Sequence, residues 1–111
     1  MKLEFAEAEN AVAVIRPQGR LNMLSAPALR DAVADTVADG RLKIVIDLVD
    51  TSFVDSSGLG ALIGGLKTAR SSGGDLRIAR AGDQIMAVLR LTNLHRVLRP
   101  HPTVEAAYGD S

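Results

Sequence analysis

Leu42-Lys43-Ile44-Val45-Ile46-Asp47-Leu48-Val49 is followed, after Asp50, Thr51 and Ser52, by Phe53-Val54-Asp55-Ser56-Ser57-Gly58-Leu59-Gly60-Ala61-Leu62. The first run is nearly continuous in apolar, β-branched side chains. That pattern predicts a central strand covered on both faces, as in a parallel sheet. Residues 51–57 read as a polar loop interrupted by Phe53 and Val54. Leu59, Leu62, Ile63 and Leu66 then recur at helical spacing to about Ser71, and Gly73-Gly74 is the stop. Asp55 and Ser56 are both good N-caps, which places Ser57 in the first turn of that helix. Unpaired backbone N–H groups and the positive end of the helix dipole point outward there.

Working upstream, Ser25-Ala26-Pro27 reads as a helix start, with a capping hydroxyl and a proline near the first turn. Leu29, Val33, Thr36 and Val37 follow at helical spacing, and Gly40 ends the element. Asp31, Asp35 and Asp39 lie four apart on a neighbouring face. A solvated surface accounts for them, with a partner-docking face as the alternative. Leu3 and Phe5 alternate with Lys2 and Glu4 in a first strand. Residues 11–15 make a second, stopped by Pro17 and Gly19, and the two pair as an antiparallel hairpin through residues 7–10.

Downstream, Leu76 and Ile78 alternate with Arg77 and Arg80 in a strand, and Ile85, Met86 and Leu89 form a helix ended near Asn93. Val97-Leu98 reads as a short last strand. Pro100 and Pro102 break the chain before a brief terminal helix over 104–108. The predicted order is β-β-α-β-α-β-α-β-α. It describes an α/β fold with a mixed, mostly parallel sheet flanked by helices. The chain is 111 residues long, enough for one hydrophobic core, and residues 1–111 read as a single domain.

Composition excludes several functions. Thirteen Lys and Arg balance thirteen Asp and Glu, and the aromatics are only Phe5, Phe53 and Tyr108. Such a chain lacks both the basic footprint for phosphate backbones and a base-stacking platform. With no cysteine there is no disulfide, thiol nucleophile or cysteine-ligated metal. Glu4, Glu7 and Glu9 interrupt the apolar residues of the N-terminal segment, so it does not read as an export signal. No apolar run is long enough to span a bilayer. The expectation is a cytoplasmic protein that engages neither nucleic acid nor membrane. The zero net charge conceals a gradient of −3 over residues 1–55 (six basic, nine acidic) and +3 over 56–111 (seven basic, four acidic). The changeover falls inside the Asp-Ser-Ser segment.

Ordinary helix capping explains Asp55-Ser56-Ser57 but not the glycines behind it. Gly58, Gly60, Gly64 and Gly65 sit in one helical pattern, and interior glycines cost about 1 kcal/mol each relative to Ala. Close packing or an open surface is the physical reason to keep them. Dinucleotide binding is ruled out because position 63 is Ile where a third glycine is needed. There is no Gly-Lys-Ser/Thr for a P-loop, and Val54 and Asp55 break the nucleophile-elbow spacing. His95 and His101 are the only histidines, both near the C-terminus. His95 is accounted for by the favourable dipole at a helix end. No catalytic residue, metal ligand or cofactor is assigned, and the chain reads as a non-enzyme.

These residues carry a resemblance. Ile46-Asp47-Leu48, Phe53 through Leu62, Gly19-Arg20-Leu21 upstream and Gly73-Gly74-Asp75-Leu76 downstream are similar, in order and spacing, to STAS-domain proteins of the anti-sigma factor antagonist group. The likeness spans essentially the whole chain. It implies a transcription regulator in a partner-switching signal-transduction system, which binds a kinase-type anti-sigma factor and so frees a sigma factor. It further implies a phosphoprotein. The anti-sigma factor serine kinase modifies the residue directly before Gly-Leu-Gly, which is Ser57 with Ser56 as second choice, and a metal-dependent serine phosphatase reverses it. The implied partner-binding set is Asn22, Asp55, Ser56, Ser57, Gly58, Leu59 and Gly60. One departure is Asn22, where the family often has an acidic residue. Asparagine keeps hydrogen-bonding capacity and loses the charge, which weakens the case for a charged contact to the kinase.

Two alternatives remain. A STAS scaffold or regulator in another signalling pathway shares the fold. A receiver-type phospho-aspartate protein would use Asp50 or Asp55 near a strand end, but the chain offers no Lys beyond Lys67 to serve it.

Overall fold

The computed structural model describes residues 1–109. The chain runs β1 (Lys2–Ala8), a 3-10 turn (Glu9–Ala11), β2 (Val12–Leu21), α1 (Ala26–Ala38), β3 (Lys43–Asp47) and β4 (Thr51–Val54). It continues through α2 (Ser56–Ser71), β5 (Asp75–Ala79), α3 (Asp83–Leu91), α4 (His95–Leu98), β6 (Pro100–His101) and α5 (Val104–Ala107). The strands form one sheet in the order β1-β2-β3-β5-β6, with β4 paired to β2 off that path. Among the described residues only β1–β2 is antiparallel; the other pairings are parallel. The mixed, mostly parallel α/β architecture is as the sequence predicts.

Three local expectations are corrected. Pro17 and Gly19 do not stop β2, which continues to Leu21. Residues 13–15 of β2 pair with β3 and residues 19–21 pair with β4, so Pro17 falls where β2 changes its parallel partner. Gly19, at φ +91°, supplies the irregularity that shifts the register there. The segment read as a polar loop contains β4, whose Thr51 is buried and donates its hydroxyl to the Pro17 carbonyl at 2.9 Å. Val97-Leu98 belongs to α4 and is not a strand. The last strand is Pro100–His101, entered through Arg99 in the left-handed region at φ 52°.

One face of the sheet carries the main core. Ile15, Ile44, Ile46, Leu76 and Ile78 point from the strands onto Leu29 and Val33 of α1, Leu62 and Leu66 of α2, Ile85 and Leu89 of α3 and Leu98 of α4. The opposite face is thinner. Val12, Val14, Val45 and Ala79 cluster with Ala107 and Tyr108 at the end of α5, and Ala8 and Val104 pack against them. The Tyr108 hydroxyl accepts from the Ile44 N–H at 3.2 Å and lies 3.0 and 2.9 Å from the Ile44 and Asp75 carbonyls. Burial pushes its pKa up to about 12.

Asp47 ends β3 on that thinner face and is fully buried. Its carboxylate accepts from Arg16 Nε at 2.8 Å and, in a two-point contact, from Arg80. Burial alone would raise its pKa, but the bonds from Arg80 and Arg16 outweigh that and hold it below its ordinary value. Arg80 itself sits at φ 54°, a left-handed conformation that carries strain in a non-glycine residue.

Candidate functional site

The parallel strands β2 and β4 end side by side, with Leu21 opposite Val54. The loops that leave these two strands therefore emerge together at the carboxyl edge of the sheet, where α/β folds build their sites. Asn22 begins the loop to α1, and Asp55 caps α2. The Asp55 N–H donates to the Leu21 carbonyl at 3.3 Å, which ties the two loops together.

Asp55 is the N-cap of α2, and its Oδ1 accepts from the Gly58 N–H at 2.9 Å. Capping engages this carboxylate, which leaves it poorly placed to be a receiver's phosphoacceptor. Ser56 and Ser57 are the first two residues of the helix; Ser56 is exposed and Ser57 half-buried. Among the described residues neither hydroxyl makes a hydrogen bond. Gly58 and Leu59 are buried beneath them. These two shape the site from below, while Gly60 is partly exposed on its flank.

The glycines of α2 divide by what lies against them. A Cβ at Gly58 would stand 2.3 Å from the Leu21 carbonyl oxygen and 2.7 Å from a Val54 methyl. The nearer of these contacts is with backbone, so only glycine lets α2 start this close to β2. A Cβ at Gly65 would meet Leu76 at 3.1 Å and Val33 at 3.2 Å, where helices and sheet pack tightly. Among the described residues, Gly60 and Gly64 face only the Arg30 side chain, at 3.2 and 3.9 Å from where a Cβ would stand.

Asn22 has a local task. Its Oδ1 accepts from the Leu24 N–H at 3.0 Å and the Ser25 N–H at 3.3 Å, an Asx-type turn that shapes the loop. Ser25 is helix-adjacent but makes no side-chain cap, contrary to the reading of it as a capping hydroxyl. It is buried, donates to the Arg20 carbonyl at 2.7 Å and accepts from the Asn22 N–H at 2.9 Å. The loop so formed exposes Met23 and Leu24, at 71% and 88%, on the same sheet edge from which the serine loop leaves.

Three contributors escaped the sequence reading. Met23 and Leu24 are one; two adjacent apolar residues between Asn22 and Ser25 were their only signal. Gln84 at the start of α3 is another. Its carboxamide accepts from the Val54 N–H and donates to the Val54 carbonyl, both at 3.1 Å, and so stands in for a neighbouring strand. The two residues are 30 apart in the chain, and nothing in the sequence announces the pairing. The third is Arg20, whose guanidinium lies 5.0 Å from the centre of the Phe53 ring, its register partner across β2 and β4. The Asp31, Asp35 and Asp39 stripe is exposed. No helix among the described residues is long and apolar enough to cross a membrane.

Comparison with known proteins bears on this geometry. The STAS domain family matches residues 3–107. Over 97 residues the chain is 32% identical to a Thermotoga maritima protein described as a candidate anti-sigma factor antagonist, covering 86% of each. It is 29% identical over 80 residues to the anti-sigma-B factor antagonist of Bacillus subtilis, covering 72% of each. Among solved structures it superposes on an anti-sigma factor antagonist from Mycobacterium paratuberculosis with a TM-score of 0.83, at 27% identity over 98% of this chain and 93% of that one.

Proposed function

The chain belongs to the STAS domain family, and on that premise we propose that it is an anti-sigma factor antagonist switched off by phosphorylation of Ser57. In this reading it has no catalysis of its own. It binds a kinase-type anti-sigma factor in the cytoplasm and thereby frees a sigma factor. The Thermotoga and Bacillus relatives support the regulatory class. The observation that carries the switch is the state of Ser57: half-buried on the first turn of α2, with a hydroxyl that bonds to nothing else among the described residues.

The binding surface is the paired loops. Met23 and Leu24 offer apolar area on one side, Ser56, Ser57 and Gly60 lie on the other, and Asn22 and Asp55 hold the loops in shape. A kinase partner fits the neutral hydroxyl closely enough to transfer a phosphate to it. The phosphate then adds about −1.5 to −2 charge beside Asp55. Like-charge repulsion and bulk expel the partner, while the first-turn N–H groups of α2 accommodate the anion without refolding. A metal-dependent serine phosphatase resets the system.

The test is a pull-down with the cognate kinase. Ser57→Ala should bind as the parent does, and Ser57→Asp should lose about tenfold or more, the effect of like-charge repulsion at the interface. Equal binding by the two variants would sink the switch. Peptide mapping after incubation with ATP and kinase separates Ser57 from Ser56 as the acceptor.

A further inference from the structure

We propose that Arg30 receives the phosphate carried by Ser57 and holds it against the flank of α2. The inference rests on Ser57 being the phosphoacceptor and names what the modified side chain meets. Arg30 is exposed on α1 and reaches across to α2. Its Nε lies 3.9 Å from where a Cβ would stand at Gly64, and its Nη2 lies 3.2 Å from the corresponding point at Gly60. The guanidinium therefore runs along α2 from Gly64 toward Gly60, with a donor end directed at the start of the helix.

Ser57, Gly60 and Gly64 share one helix face, because residues three and four apart are neighbours, with Cβ atoms about 5–6 Å apart. Cβ vectors tilt toward the helix N-terminus, so the empty Cβ position of Gly60 leans back toward Ser57. A phosphoserine at 57 extends over that same face. Its oxygens come within reach of a guanidinium whose planar donors suit a phosphate.

Arg30 has no competing engagement. Its neighbours three and four residues away on α1 are Ala26, Pro27, Val33 and Ala34, none of which can pair with it. Among the described residues it makes no hydrogen bond or ion pair. The two glycines beneath it are residues that a helix interior disfavours. No backbone lies against either, in contrast to Gly58, and what they leave open is the lane the guanidinium occupies. Phosphorylation then has two effects at once: it places an anion at Ser57, and it withdraws a cation from the surface offered to the partner.

The experiment needs no kinase. Phosphoserine is installed at position 57 of the full chain by genetic code expansion, and its second ionisation is followed by phosphorus NMR. The parent is compared with Arg30→Gln and Arg30→Lys, each checked for folding by circular dichroism. Asp55 and Lys67, the other charged side chains nearest this face on α2, are common to all three. The midpoint should lie lower in the parent than in Arg30→Gln by about half a pH unit or more, with Arg30→Lys between. In the parent alone, the Arg30 Nε–H resonance should move with the same midpoint. Coincident midpoints in parent and Arg30→Gln, or an Arg30 resonance that ignores the titration, overturn the proposal. Those results would leave the switch at Ser57 standing. A kinase that never modifies Ser57 would instead remove the switch and leave this measurement untouched.

Discussion

The helix-covered face of the sheet is held together by shape, and its opposite face is organised around a buried charge. On the first, α1, α2, α3 and α4 press apolar side chains against the strands, and Gly58 and Gly65 let α2 approach until further atoms would collide. On the second, a small cluster under Tyr108 adjoins Asp47, which two arginines neutralise. The loops of the candidate site leave the carboxyl edge of the sheet and lead into α1 and α2 on the first face. Their geometry is therefore set by close contact, which tolerates added volume poorly. The second face is expected to lose stability while leaving the shape of the site intact.

The largest expected effect breaks that contrast on the charged side. Asp47→Ala should cost about 3 kcal/mol of unfolding free energy, measured in urea, because the carboxylate is buried and both guanidinium groups lose their bonds to it. Arg16 and Arg80 are partly exposed, with side-chain accessibilities of 25% and 40%, so water takes up part of the loss. The sign with pH follows from the depressed pKa. The Asp47 contribution is complete above its ordinary value of 3.8 and is lost as pH falls through the lower value of the folded protein. Parent and variant stabilities should converge in that acid range. Kinase binding by the folded fraction of Asp47→Ala should be unchanged.

A smaller loss with a larger functional consequence is expected at Gly58. Gly58→Ala drives a methyl into the Leu21 carbonyl and Val54. It should cost about 2 kcal/mol by overpacking, and it should weaken partner binding in a pull-down even at temperatures where the variant is fully folded. The smallest effect has the opposite sign. Gly64→Ala meets only a side chain at ordinary contact distance, so helix propensity should raise stability by about 0.5–1 kcal/mol in thermal or urea melts. A destabilised Gly64→Ala would mean that close packing, and not an open lane, explains that glycine.

Much of the fold was legible because its strongest signals are periodic. The 42–49 run, the 59–66 helical spacing and the turn glycines placed β3, α2 and their neighbours correctly. What escaped was short or non-local. β4 is four residues with two hydroxyl side chains, and it is a strand because β2 extends past β3 to meet it. Val97-Leu98 is apolar and β-branched enough to suggest a strand, yet α4 buries Leu98 against the other helices. Within the site, Asp55 as N-cap and Ser57 in the first turn were readable from local chemistry. Arg30, Gln84 and the exposed Met23–Leu24 pair were not, since their meaning comes from what α1, α3 and the Asn22 turn bring beside α2. Asp47 did leave a trace: a carboxylate inside an apolar β-branched run needs a partner, although the sequence does not say which.

Gln84 has a consequence for how any partner can bind. β4 lies off the main strand path, and an unshielded edge strand invites another chain to extend the sheet. At Val54 both backbone groups are already taken by a side chain that imitates a peptide. Strand addition at that position is blocked from within. Recognition then falls to the side chains of the two loops and the flank of α2, where the phosphate proposed at Ser57 would sit.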